Sequence, residues 1–203
     1  MLSFNVTELT QKEQYKLLIG SVIPRPVALI ASLNDDQSIN LAPFSYFNMV
    51  SYNPPILMVS VQRKGKMKDT ARNILANKEA VFHVVSQENL ADVNQTASNL
   101  PKNKSELELT QFTLASSHSI QTPGIAEMKV RYETVLHQHI EIPSTHPQFI
   151  AADLLLMRVV HFHLSEEVYQ NTYILADQLK PISRLAGNDY ATLGDIIQLE
   201  RPE

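Results

Sequence analysis

The sequence contains no cysteine. Disulfides, thiolate nucleophiles and cysteine-ligated zinc are therefore excluded, and a reducing compartment, the cytoplasm, suits such a chain. Glycine is scarce, with 5 residues in 203. No Gly-rich dinucleotide loop is present, so nicotinamide binding of the Rossmann type is not expected. Long apolar runs are missing as well. Leu154–Met157 is typical of the longest, far short of the roughly 20 residues that a membrane-spanning helix needs. Met1–Glu13 is mixed polar and carries no signal-like apolar core. Basic excess is also lacking: Lys and Arg number 17 against 21 Asp and Glu, a net charge of -4. Neither a nucleic acid nor a membrane is an expected partner. Any anion site must be a local cluster. No serine–histidine–aspartate arrangement is seen to offer a nucleophile.

What is present is ordinary for a globular chain: 44% hydrophobic and 19% charged residues. No repeat, linker or composition shift divides it, so residues 1–203 read as one domain. Strands are expected at Val27–Leu33, Ile56–Gln62, Ala80–Ser86, Lys129–Ile142 and Leu155–Leu164, with a turn at Asn34–Gln37. The spacing of Ala71, Ile74 and Leu75 predicts a helix over Asp69–Asn77 with Asp69 as its N-cap. A weaker helical pattern covers Asn89–Asn99. Strands dominate, which predicts a mostly β fold: an antiparallel barrel with flanking helices.

Three features carry chemistry. The first is the stretch 24–48, an apolar strand after Pro24-Arg25-Pro26 followed by a proline-interrupted loop, Asn40-Leu-Ala-Pro-Phe-Ser45 to Asn48. Small side chains there let the backbone approach something flat, and Ser45 and Asn48 offer hydrogen bonds. The second is Arg63, Lys64, Lys66 and Lys68, which crowd between a strand end and a helix start. Thr70 lies in that helix's first turn, where free amides and the positive dipole end favour an anion. On composition alone these are the lysines of a solvated loop. The third feature is two His-x-His pairs, His137/His139 and His161/His163. Alternate strand residues share a face, so each pair is a possible chelate, and Glu141 extends the first to a His-His-Glu set. Half-exposed strands show the same spacing with no metal, and no metal ligands are assigned. His83 reads as a core or interface histidine rather than a catalytic acid.

The order of these segments resembles the flavin reductase-like proteins of the flavoredoxin group, with their FMN-binding Greek-key split barrel. The resemblance runs from about Tyr15 to Tyr190. It includes Leu17–Pro26, Lys68-Asp-Thr-Ala-Arg-Asn-Ile74 and the C-terminal Leu179–Gly187. In that family the segment like Asn40–Ser45 lines the flavin, so Asn40, Ala42, Pro43, Phe44, Ser45 and Asn48 are implied, and Ser32 could add a hydroxyl. The family also places Lys68-Asp69-Thr70 beside the FMN phosphate and Ser60, Val61, Gln62 and Arg63 along the ribityl chain. Arg184 and Tyr190 could reach the flavin or a partner subunit. The family's C-terminal motif usually carries paired glycines, whereas here Ala186 precedes Gly187. The resemblance implies FMN, with FAD as the other candidate, NAD(P)H as a transient co-substrate, and a homodimer. The expected activity is hydride transfer from nicotinamide to flavin N5. Two alternatives stand beside it: a non-catalytic FMN carrier, and a metal-dependent barrel enzyme using the His-x-His pairs.

Overall fold

The structure, a computed structural model, describes residues 1–98, 100, 104–146 and 148–202. Helix α1 spans Gln11–Ser21, behind a capping box in which Thr10 and Glu13 bond each other's amides. Strands β1 (Arg25–Pro26), β2 (Ala28–Leu33), β3 (Ile39–Phe44), β4 (Phe47–Tyr52) and β5 (Pro55–Gln62) follow, then α2 (Asp69–Asn77) and β6 (Glu79–Val84). After α3 (Leu90–Gln95) come the short β7 (Leu114–Ala115) and β8 (Gly124–Ile125), then the long pair β9 (Val130–Pro143) and β10 (Ile150–Leu164). The chain closes with β11 (Tyr169–Gln170), β12 (Tyr173–Ile174), α4 (Ala176–Leu179), β13 (Ser183–Arg184) and β14 (Tyr190–Ala191).

Seven strands form one antiparallel sheet in the order β3-β2-β6-β9-β10-β5-β4. Its two edge strands, β3 and β4, are consecutive in the chain and joined only by Ser45 and Tyr46. A two-residue connection cannot cross an open seven-stranded sheet, since neighbouring strands lie about 4.8 Å apart. The sheet must therefore curl until its edges meet, and the barrel follows from that connection. The stretch 40–48, expected as a loop, is this seam: strand, bend, strand.

Strand β2 has both faces covered, which is why it reads as an apolar run broken only by Ser32. Ala28 and Ile30 pack inside the barrel with Phe44, Val59, Val61, Ala71, Ile74, Phe82, Leu155 and Met157. Leu29 and Ala31 point outward, against Val81, Val85, Val93, Phe112 and Ile125. Each fully buried aliphatic side chain contributes about 1.5–3 kcal/mol by leaving water, so the two packed faces make β2 the spine of the fold. No helix among the described residues is long and apolar enough to cross a membrane.

The mostly β, antiparallel expectation is borne out, with differences at the ends. Strand β10 begins at Ile150 instead of Leu155, and β6 stops at Val84, leaving Ser86 as an isolated bridge to Pro181. Helix α2 has its expected limits, but its N-cap is Lys68, with no side-chain cap, while Asp69 pairs with Arg72. Helix α3 is shorter than expected, and Asn99, its expected end, lies outside the described residues. Helix α1 was not foreseen: of its residues only Ile19 is buried, so it has almost no apolar stripe of its own to read.

Candidate functional site

Sheet register brings Ser32 opposite Asn40 at the turn end of the β2–β3 hairpin. Helix α2 lays its first turns over that end, and a buried polar network forms. Asn40 Nδ2 donates to Thr70 Oγ1 at 3.0 Å and to Ser32 Oγ at 3.3 Å. Asn73 Nδ2 donates to Ser32 Oγ at 3.2 Å and to Asn34 Oδ1 at 2.8 Å. Ser32, Asn40, Thr70 and Asn73 are all at or below 7% exposure. Buried amides and hydroxyls are tolerable only when paired like this. The network fixes where α2 begins relative to the barrel seam. Asn73 was missed in the sequence, although Thr70 and Asn73 sit at helical i,i+3 spacing and so share a face.

The start of α2 is left open to solvent. With no side-chain cap, its first amides keep unused donors. Lys64, Lys66 and Lys68 gather there, and among the described residues none of the three forms an ion pair. Gly65 turns between two of them at φ 87°, a conformation that favours glycine. Lys68 Nζ lies 5.6 Å from the centre of the Phe44 ring, a cation–π approach that joins the helix start to β3. Burial beside that ring, then the charge of Lys64, holds Lys68 below the ordinary lysine range.

Along the seam, Pro43 sits on edge strand β3, where its missing N–H costs little. Phe44 is buried in the barrel core, with Ala42 and Phe47 packed against it, and Phe47 meets Phe82 at 5.9 Å. Ser45 is half-buried at the bend, and Asn48 is exposed on β4, its side chain accepting from the Met49 amide at 2.8 Å. On β5, Gln62 Nε2 donates to Ser60 Oγ at 3.1 Å, and Val61 is a core residue.

Arg63 is placed differently from its lysine neighbours. Its guanidinium holds Asp153 by two bonds of 2.7 and 2.6 Å and Glu141 by one of 2.8 Å. His139 Nε2 is also 2.8 Å from Asp153. Asp153, which the sequence reading passed over inside an apolar strand, is the fully buried centre of this cluster. Arg63 is thus already neutralised, which leaves the three lysines as the free cations.

Arg184 and Tyr190 sit elsewhere, on a three-stranded sheet of β1, β13 and β14. The Arg184 guanidinium lies 4.4 Å from the Tyr190 ring centre, and the same guanidinium bonds the Gly187 carbonyl. Arg25 of the Pro-Arg-Pro run is 8% exposed and donates to the Ile19, Val22 and Leu185 carbonyls. It clamps the end of α1 to the C-terminal hook, a role its neighbouring prolines did not announce.

Of the two His-x-His pairs, only the second keeps its shared face. Between Leu156↔Gln138 and Met157↔Leu136 the β9–β10 ladder slips, so His137 is the extra residue of a bulge. The possible His137-His139-Glu141 set does not form; Glu141 and His139 meet Arg63 and Asp153 instead. His83 is buried as expected: its Nδ1 lies 2.9 Å from the Leu29 carbonyl, and its Nε2 accepts from the Ile125 amide at 2.9 Å.

Residues 19–182 match the family model described as the flavin reductase like domain. The chain belongs to the flavin reductase-like family. It is 46% identical to the Bacillus subtilis protein YwrF over 205 residues, covering both chains completely. It is 48% identical to the solved nitrilotriacetate monooxygenase component B from Bacillus cereus, with a TM-score of 0.95 over 98% of each chain. The 2-nitrobenzoate 2-nitroreductase NbaA of Pseudomonas fluorescens is 28% identical, with a TM-score of 0.88 over 99% of this chain and 96% of that one. The flavin reductase-like split barrel is thus the fold of this chain, and family membership supports a flavin-related oxidoreductase.

Proposed function

We propose that the protein is an FMN-dependent oxidoreductase of the cytoplasm, acting as one domain, that takes hydride from NADH or NADPH. One observation carries the reading: the uncapped start of α2, preceded by Lys64, Lys66 and Lys68, which have no ion-pair partner among the described residues, and tied through Lys68 to Phe44 of the barrel seam. That donor set suits a phosphate monoester, because free amides and ammonium groups both favour a dianion. FMN, when bound, supplies the acceptor for a hydride from the nicotinamide.

The chain's own residues bind and orient. Lys68, Lys64 and the α2 amides would hold the phosphate. The Asn40–Thr70–Ser32–Asn73 network keeps that helix start fixed to β3. Ala42, Pro43, Phe44 and Ser45 offer the apolar wall along the seam, with Asn48 at its exposed end. Ser60 and Gln62 present polar groups on β5, whereas Arg63 acts indirectly, by fixing the strand ends around Asp153. Arg184 and Tyr190 lie apart from these residues, on the β1-β13-β14 sheet.

A homodimer accompanies the proposal. Helix α1, its C-cap Val22 and β4 expose Tyr15, Leu17, Leu18, Val22, Met49 and Tyr52, apolar side chains that a subunit contact would cover. Light scattering after size exclusion should give twice the monomer mass.

The deciding experiment is a visible spectrum of the purified protein, before and after FMN and then NADH or NADPH without oxygen. Flavin bands that shift on binding and bleach with a nicotinamide are expected, and Lys68→Ala should weaken FMN binding by roughly ten-fold, the loss of about one charge-assisted bond. Bound flavin that stays oxidised with both donors would favour the carrier reading. No flavin binding would remove the proposal.

A further inference from the structure

At the end of the β9–β10 ribbon away from Arg63, three imidazoles converge. His161 and His163 follow the ladder in register, opposite Glu133 and Arg131, so both rings project on one face of β10. His118 arrives from the connection between β7 and β8. Ring centres lie 4.8 Å apart for His118 and His161, 5.3 Å for His118 and His163, and 4.6 Å for His161 and His163. One nitrogen from each ring falls within 4.8 Å of the other two.

From this geometry we infer that His118, His161 and His163 form a binding site for a divalent transition metal ion of the zinc type. Imidazole nitrogen suits zinc, nickel and copper, and three histidines leave a fourth position for water. The supporting shell is built in. Glu133, 0% exposed, lies 2.6 Å from His163 Nε2 and accepts from the His118 and Ser119 amides at 2.6 Å each. A histidine whose one nitrogen donates to a buried carboxylate presents the other's lone pair, the arrangement that orients ligands around zinc. The same carboxylate pins the loop that carries His118, and His118 itself is exposed, which gives an ion its route in.

Tetrahedral bonds of about 2.0–2.1 Å bring ligand nitrogens to roughly 3.4 Å. The stacked His118 ring must therefore turn inward, as an exposed loop side chain can. Arg131 Nη2 stands 3.5 Å from His163 Nδ1, too far for a firm bond, and would yield that lone pair to the ion. Nothing in the site requires flavin.

The test is zinc competition between the full chain, stripped with chelator and dialysed, and a chromophoric chelator. One equivalent of zinc should bind. His118→Ala and His161→Ala should each weaken it at least about ten-fold, while His137→Ala should leave it unchanged. Zinc should also slow amide exchange in residues 116–122 of the unsubstituted chain. His118 is on the surface, so its variant keeps the fold. Absence of stoichiometric zinc, or binding equal in His118→Ala and the parent, would overturn the site.

Discussion

The two ends of the β9–β10 ribbon begin from the same short pattern and finish differently. At one end His139 meets the fully buried Asp153, and Arg63 closes the cluster with bonds to both Asp153 and Glu141. At the other end His163 meets the fully buried Glu133, and loop amides, not a cation, supply the remaining bonds. A carboxylate held by a guanidinium is finished as a structural lock. One held by amides and an imidazole leaves neighbouring rings free to take a ligand. Two of the ladder's three register shifts decide which histidines remain available. At the Asp153 end the extra residue is His137 itself; at the Glu133 end it is Val160, before the pair begins.

The largest expected effect is at Glu133. Burial alone would raise its carboxyl, but bonds from His118, His163 and Ser119 outweigh that and hold it below the usual range. Glu133→Ala removes all three partners at once and should cost about 3–5 kcal/mol in urea unfolding. A smaller loss than that of Asp153→Ala would break the contrast between the two ends.

His83 lies beside the Glu133 end, and burial first, with Arg131 and His163 adding to it, depresses its pKa from 6.5 to about 4. Its Nε2 must stay unprotonated to accept from Ile125. Stability from a neutral buried histidine is complete above the unfolded value of 6.5 and is lost as pH falls toward 4. The loss should reach up to about 3 kcal/mol across that window, and His83→Gln should flatten it. A wild-type curve already flat between those values would show that His83 is not held neutral.

Asp153→Asn should cost less than Glu133→Ala, about 1–3 kcal/mol, because Arg63 keeps Glu141 and some contact with water. Burial raises the Asp153 carboxyl, but Arg63 and His139 together hold it below the ordinary range. Its contribution is present above the unfolded value of roughly 4 and disappears as pH falls through the lower folded value. Asp153→Asn should therefore lose stability at neutral pH yet lack part of the acid limb. An unchanged acid limb would exclude the Arg63 lock. The smallest effect is expected at the bulge: His137→Ala should stay within about 0.5 kcal/mol in stability and leave FMN and zinc binding unaltered.

Much of the fold was legible from local pattern. Ala28–Leu33 is apolar except for Ser32 because both of its faces are covered, and α2 could be placed residue for residue because Ala71, Ile74 and Leu75 repeat at helical spacing. The lysine cluster before α2 was visible in the sequence, but by itself it reads as a solvated loop, and only the family resemblance points it at a phosphate. Asn73 was not, since a polar residue inside a helix looks solvated until a buried partner such as Ser32 is found. Nor was α1, whose exposed apolar residues carry no single stripe.

By itself the sequence determined what the absences allow, where the strands run, and which family the chain resembles, since these depend on composition, order and short-range period. Tertiary structure decided that residues 40–48 close a barrel, that Lys68 and not Arg63 is left free, and that His161 and His163 converge while His137 and His139 part. Each of those outcomes depends on strand register, and one inserted residue moves a side chain to the opposite face of a sheet. No local pattern records where such a slip occurs.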